Sequence, residues 1–257
     1  MPYPEITSVQ NESIKQIVQL HSAKGRTQYQ QFIGQGLRVC TTLAQSNIPL
    51  VHIYTTKHML ADAQSIASHT PYVPITLVTD AVMRKISTST TPAGIVCVFG
   101  MPKTVPLQLM IAPGLVLVGL SDPGNIGTLL RTAAALAIKT IVLVEGADVF
   151  NPKVIQASAG TIGMINLFHC TWHELVAHAR SKKISLSALV VNGGKAPQEI
   201  KNKNTLLVVG SEAHGLTTEQ QRDCDQLITL PMPGNTESLN AAIAGSIALY
   251  LVTQVSS

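Results

Sequence analysis

Three stretches of this chain gather residues able to do chemistry. SDPGNIGTLLRTAAAL at 121–136 carries Asn125 and Arg131, and LLVVGSEAHGL at 206–216 carries Gly210 and Glu212. ITLPMPGNTESLNAAIAG at 228–245 carries Leu230, Ser238, Leu239 and Asn240. Each stretch follows or contains an apolar run, so each reads as a loop leaving the C-terminal end of a strand, where open α/β sheets place ligand sites. Singly they are weak signals, because Gly, Pro and Asn make turns anywhere and Asn125 or Ser238 could simply cap a helix. Three together point to one site.

The first stretch resembles the start of a dinucleotide site: an apolar run, GLVLVGL, then a Gly-containing turn, a helix, and Glu145 placed 21 positions after Gly124. That fingerprint needs glycine where this chain has Asp122, because the backbone must turn tightly against a pyrophosphate. Asp122-Pro123 puts a carboxylate and a rigid ring there instead, and the carboxylate would repel the phosphates. No GKS or GKT follows the glycines, which excludes a P-loop.

The elements that must position these loops are legible from periodicity. Apolar runs at GLVLVGL, TIVLVEG, INLFHC, ISLSALVV, TLLVVG and QLITLP predict strands, with helices at NIGTLLRTAAALA, PKVIQASA, HELVAHARSKK and TTEQQRDC. Near-continuous apolar strands alternating with helices predict a mostly parallel sheet covered on both faces. A last helix, from about Ser238 to Val255, is apolar or small nearly all round, which predicts burial against the sheet on one side and a second subunit on the other. Upstream, residues 5–45 read as helical, with Ile14, Ile17, Val18 and Leu20 at helix spacing. Strands at LVHIYTT and PITLVTD, helices around MLADAQSIAS and AVMRKIS, and a polar turn entering the strand of STSTTPAGIVCVFG follow. MPKTVP, with its two prolines, reads as a linker and places a domain boundary near 101–108.

Composition narrows the class. Of 257 residues, 46% are hydrophobic and only 12% charged, as a well-buried α/β protein requires. The longest apolar stretch near the C-terminus, AAIAGSIALYLV, holds 12 residues, too few for a bilayer span of roughly 20. MPYPEITSVQNE has neither the basic nor the apolar region of a secretory signal. Cys40, Cys97, Cys170 and Cys224 form no CxxC pair, so buried reduced thiols in a cytoplasmic protein are expected, and the scattered histidines argue against a metal site. Residues 1–105 hold eight Lys/Arg against four Asp/Glu, so the net charge of +4 sits entirely there. This charge suits a phosphate-rich partner, or else a solvated face. With aromatics at 4%, an aromatic stacking platform is not the expected mode of nucleic-acid binding.

DPGNIGTLLRTAAALA, VVGSEAHGL and LPMPGNTESLNAAIA resemble, in order and spacing, the three motifs of the SpoU/TrmH family. These are RNA 2′-O-ribose methyltransferases of the SPOUT superfamily that use S-adenosylmethionine. ITSVQNESIKQIVQL and ISTSTTPAGIVCVFG likewise resemble the family's L30e-like RNA-binding domain, so the likeness covers nearly the whole chain. One departure bears on RNA choice: relatives read FLVEG where this chain has Phe32-Ile33-Gly34-Gln35-Gly36.

The resemblance implies an L30e-like domain over 1–104 and a knotted (trefoil) α/β methyltransferase domain over 105–257. It implies a homodimer through the second domain, RNA (rRNA or tRNA) gripped by the basic first domain, and a cytoplasmic location. Gly210, Leu230 and Leu239 would line the S-adenosylmethionine pocket. Arg131 would be the catalytic residue, with Asn125, Glu212, Ser238 and Asn240 around it. Guanidinium is always protonated in proteins, so Arg131 would act as a fixed cation on a developing alkoxide rather than as a base. Glu212 is either a turn residue or the acidic partner of Arg131. Base methylation within the superfamily, or RNA binding without catalysis, are the alternative readings.

Overall fold

The computed structural model describes residues 3–146, 148–200, 204–234 and 238–254, which divide into two compact units. One unit comprises 1–103 together with 148–164; the other comprises 104–147 and 165–257.

The first unit is built from β1 (Glu5–Ile6), α1 (Glu12–Gln19), α2 (Ala23–Tyr29), β2 (Gln31–Gln35), α3 (Leu37–Ala44) and β3 (Leu50–Thr55). It continues with α4 (Leu60–Ala67), β4 (Ile75–Val78), α5 (Asp80–Ile86) and β5 (Ile95–Gly100). Its sheet is mixed, in the order β1-β4-β3-β5-β2, with β5 antiparallel to both of its neighbours. The helical reading of 5–45 is corrected at Gln31–Gln35, which is a strand. Gln30 closes α2 in the left-handed region, and the next residues pair with β5, Phe32 opposite Phe99. Phe32, Ile33 and Gly34 are buried between the half-buried Gln31 and Gln35, five residues being too short a run to show a strand period against the helical segments around it.

The second unit contributes β6 (Gly114–Val118), α6 (Pro123–Ala135) and β7 (Thr140–Val144). The chain then gives α7 (Pro152–Ala157) to the first unit. It resumes the second with β8 (Asn166–His169), α8 (Trp172–Lys182), β9 (Ser185–Leu189), β10 (Thr205–Val209), α9 (Thr218–Asp223), β11 (Gln226–Ile228) and α10 (Ala241–Gln254). All six strands are parallel, in the order β11-β9-β10-β6-β7-β8. Every residue of β6, β7 and β10 is buried, as a sheet covered on both faces demands.

The segment 148–164 belongs to the first unit by packing. The Phe150 ring lies 5.1 Å from that of Phe32, and a Cβ on Gly160 would stand 2.8 Å from the Val39 carbonyl oxygen. Arg26, 2% exposed, donates to the Leu20 carbonyl at 2.8 Å and the His21 carbonyl at 3.0 Å, and pairs with Asp148. A buried guanidinium is tolerable because both of its terminal nitrogens meet acceptors.

Cys40 and Cys97 are buried as expected, but Cys170 and Cys224 are only half-buried. Burial pushes the Cys170 thiol up to about 11, aided by the Glu174 carboxylate, and Cys224 up to about 12, aided by Asp225 and Asp223. The predicted end of the last helix at Val255 lies outside the described residues.

Candidate active site

The first predicted loop leaves β6 through Gly119, whose left-handed φ of 62 turns the chain while its N–H donates to the Val144 carbonyl at 3.0 Å. Asp122 then caps α6: its Oδ1 accepts from the Asn125 N–H at 2.7 Å, with Pro123 in the first turn. The carboxylate and the proline that excluded a pyrophosphate therefore have a local purpose. The N-terminus of α6 is satisfied by the chain's own acid, and proline occupies a position whose N–H would have no partner.

Because Asp122 is the cap, the Asn125 side chain is free to act elsewhere. It is 9% exposed, and its Nδ2 donates to Glu212 Oε1 at 2.9 Å while its Oδ1 accepts from Asn240 Nδ2 at 2.9 Å. Asn240 in turn caps α10, its Oδ1 accepting from the Ala242 N–H at 2.9 Å and the Ile243 N–H at 3.2 Å. One chain of side chains thus joins the loops after β6, β10 and β11. Of Ser238 and Asn240, both expected as possible caps of the last helix, Asn240 makes the capping bonds, and Glu212 accepts from Asn125 rather than from the expected Arg131.

Beside this chain lies a cavity of about 660 Å³ lined by six of the predicted residues: Gly210, Glu212, Leu230, Ser238, Leu239 and Asn240. Leu230 is 8% exposed and Leu239 is 37% exposed. Gly210 earns its glycine from the turn: a Cβ there would lie 2.5 Å from the Gly215 carbonyl carbon, so the loop 210–216 could not fold back over a side chain. Gly215, at φ 63, donates its N–H to the Ser211 carbonyl and completes that turn. Residues 235–237 of the third motif lie outside the described residues.

Arg131 stands apart. Six residues of α-helix turn about 240° round the axis, so it does not share a face with Asn125. It is exposed, is absent from the cavity lining, and has no hydrogen bond or ion pair among the described residues.

Several lining residues escaped the sequence reading: Val190, Val191 and Asn192 after β9, and His214, Gln221 and Met232. The signal was present in VNGG, a fourth Gly-containing loop at a strand's C-terminal end. A Cβ on Gly194 would sit 2.6 Å from the Ile228 carbonyl carbon, which presses this loop on β11 beside the cavity.

The cavity fits S-adenosylmethionine. Its volume lies in the usual range for small-molecule sites, and its lining mixes apolar residues such as Leu189, Val209 and Leu230 with polar ones such as Asn192, Ser211 and Glu212, as a ligand with an apolar base and charged ends requires. Glu212 is the acid among the lining residues, and a carboxylate suits a sulfonium-bearing ligand. Among the described residues no group of three or more His, Cys, Asp or Glu side chains could hold a metal ion.

Comparison with known proteins agrees with this geometry. Residues 113–250 match the SpoU rRNA Methylase family, and residues 11–97 match the MRM3-like substrate binding domain. An uncharacterized tRNA/rRNA methyltransferase of Synechocystis is 32% identical, covering 95% of this chain and 92% of its own. The 23S rRNA (guanosine(2553)-2′-O)-methyltransferase RlmP of Bacillus subtilis is 26% identical over 96% of this chain and 98% of its own. Among solved structures, the AdoMet-bound rRNA methyltransferase of Sinorhizobium meliloti superposes with a TM-score of 0.88 at 25% identity, covering 99% of both chains. A structure described as an RNA 2′-O ribose methyltransferase gives a TM-score of 0.85 at 25% identity over 98% of both chains. The chain belongs to the SpoU/TrmH family of RNA 2′-O-ribose methyltransferases, within the SPOUT superfamily.

Proposed function

We propose that the cavity between the loops after β9, β10 and β11 is the S-adenosylmethionine site, and that the Asn125 cluster and Arg131 present an rRNA ribose to it. The family's reaction is S-adenosylmethionine-dependent methylation of an RNA ribose 2′-hydroxyl, and this chain is such an enzyme. The observation that carries the site assignment is the Asn240–Asn125–Glu212 hydrogen-bonded chain, which holds three motif loops together at the cavity's side.

S-adenosylmethionine supplies an already activated methyl group when bound. Leu230 and Leu239 offer apolar walls, the loop 210–216 offers backbone groups, and Glu212 offers negative charge. The acceptor 2′-hydroxyl needs its developing negative charge stabilised. An unpaired, always-charged Arg131 does that as a fixed cation, at the 2′-oxygen or the adjoining 3′-phosphate.

A homodimer completes the arrangement. α10 buries Ala242, Ala248, Leu249 and Val252, while Ile243, Ile247 and Tyr250 are 51%, 41% and 51% exposed along its other side. Such an apolar stripe on a soluble chain calls for a partner. α10 is tied to α6 by the Thr132 and Ser246 hydroxyls at 2.9 Å, so association through α10 also brings α6, with Arg131, to a second protomer. Arg131 is outside its own protomer's cluster, and in this reading it serves the cluster of the other.

The basic first unit grips the RNA. Full-length likeness to a 23S rRNA enzyme favours rRNA over tRNA. No helix among the described residues is long and apolar enough to cross a membrane, and the cytoplasm is where this substrate resides. The test is to map the methyl group by nuclease digestion and mass spectrometry, on rRNA and tRNA from cells with and without the gene. A 2′-O-methyl that disappears with the gene supports the reading, and a methylated base beside an unmodified ribose overturns it.

A further inference from the structure

A second cleft, of about 490 Å³, lies entirely within the first unit and shares no residue with the cavity just described. One wall is the hydroxyl-rich turn from Ser87 to Thr91, and the other is Lys153 and Gln156 on α7. The floor is apolar or small, including Ile95, Val96, Ala93 and Gly36.

The turn is built in advance. Gln35 Oε1 accepts from Ser87 Oγ at 2.8 Å and the Thr88 N–H at 3.0 Å, while its Nε2 donates to Thr88 Oγ1 at 2.7 Å. Ser89 Oγ donates to the Thr91 carbonyl at 3.1 Å and accepts from the Thr91 N–H at 3.3 Å. Opposite it, Lys153 and Gln156 lie one helical turn apart, both exposed, with no side-chain hydrogen bond among the described residues.

Charge identifies the ligand class. Lys153 is the one charged residue among those lining the cleft. Arg38, two residues beyond Gly36, and Arg84 and Lys85, just ahead of Ser87, are exposed and have no ion pair among the described residues. Elsewhere in the unit Lys15, Arg26 and Lys57 are each paired with an acid, while Lys24 and Lys103 are exposed without an ion pair among the described residues. Unpaired cations around a recess of neutral donors and acceptors suit a phosphate-linked ligand whose edge is read by hydrogen bonds.

We propose that this cleft holds one unpaired nucleotide of the substrate RNA, distinct from the nucleotide that is methylated. The base enters between the Ser87–Thr91 turn and Gln156, resting on the apolar floor. Lys153 meets a flanking phosphate, with Arg38, Arg84 and Lys85 along the approach. The volume admits a base with its sugar but not a duplex. The proposal also gives the neutral side chain of Gln35 a role. A neutral amide both accepts and donates in holding the turn, and adds no negative charge to a recess facing phosphates.

This inference rests on the RNA reading above, and its test separates the two. The full chain is titrated, by fluorescence anisotropy, with a labelled RNA hairpin carrying a mixed-sequence unpaired loop and with a perfect duplex of equal length. S-adenosylmethionine binding is followed in parallel by calorimetry. Tighter binding of the hairpin is expected, weakened about tenfold by Lys153→Glu with a salt slope shallower by about one. Gln156→Ala and Gln35→Glu should weaken it several-fold, and all three variants should bind S-adenosylmethionine like wild type. A 4-thiouridine in the loop should cross-link to peptides containing 87–91 or 153–156. Wild-type affinity in Lys153→Glu and Gln35→Glu, equal binding of hairpin and duplex, or cross-links confined to other peptides would each overturn the cleft assignment alone. A wild-type chain that binds S-adenosylmethionine but neither RNA overturns the RNA reading itself.

Discussion

Asn240 donates through Nδ2 to Asn125 Oδ1 at 2.9 Å across 115 residues of sequence, with its own Oδ1 occupied by the first turn of α10. The bond locks the start of the last helix to the first turn of α6. Asn125 spends its other end on Glu212, so one amide holds two loops.

Asn125→Ala should therefore leave both the Asn240 amide and the Glu212 carboxylate without their partner. A stability loss of about 1 kcal/mol is expected, because Glu212 and Asn240 are exposed and water can replace the lost amide, with a fall in kcat larger than any change in KM. Asn125→Asp should do worse, because it sets a second carboxylate against Glu212. Denaturant midpoints and steady-state methyl transfer measure both.

Arg131→Ala removes an exposed side chain with no bond of its own in the protomer, so the melting temperature and S-adenosylmethionine affinity should not change. Methyl transfer should fall about 10²–10³-fold, the typical cost of losing one stabilising donor. Retained transfer would remove Arg131 from the chemistry.

Ile247→Glu places a charge in the exposed apolar stripe of α10. Sedimentation velocity should show dimer giving way to monomer, with methyl transfer lost together with the dimer. An equimolar mixture of Arg131→Ala with an Asn125→Ala chain should recover part of the activity if each site draws on both protomers.

Arg26→Ala should cost about 1–3 kcal/mol, since it strands the Leu20 and His21 carbonyls while the exposed Asp148 carboxylate is left to water. Asp148→Asn should cost less, because the two carbonyls still satisfy the guanidinium. Urea midpoints rank the pair.

His52, stacked on Tyr54 and bonded to the Thr76 hydroxyl at 2.8 Å, is held below the ordinary histidine value of 6.5 by burial. His169 is lowered for the same reason. A group whose folded value is depressed binds fewer protons when folded, so its contribution is complete above 6.5 and shrinks as pH falls through the folded value. Melting temperature should decline on acidification below about pH 6.5, and His52→Gln should flatten part of that decline.

The alternation in the second unit was legible in sequence because its strands are buried on both faces and read as unbroken apolar runs: β6, β7 and β10 were found where predicted. β2 was hidden because its five residues are too short a run to set a strand period against the helical segments on either side, and its pairing with β5, Phe32 opposite Phe99, is what distinguishes it.

By itself the sequence marked the loops after β6, β10 and β11, because Asn125, Gly210, Glu212, Leu230, Ser238, Leu239 and Asn240 follow the C-terminal ends of apolar strands, a locally encoded pattern; it left the loop after β9 unmarked, and Arg131 lies well inside α6. Tertiary structure alone decided who bonds to whom. Glu212 could accept from Arg131 or from Asn125 as far as residue type goes. The 240° swing of α6 between those two positions turns Asn125 toward the β10 loop and Arg131 to the surface. In the same way, the chain connectivity of 148–164 says nothing of its packing. Phe150 against Phe32, Gly160 against Val39 and Asp148 against Arg26 place it in the first unit, since burial and ion pairing act through space rather than along the chain.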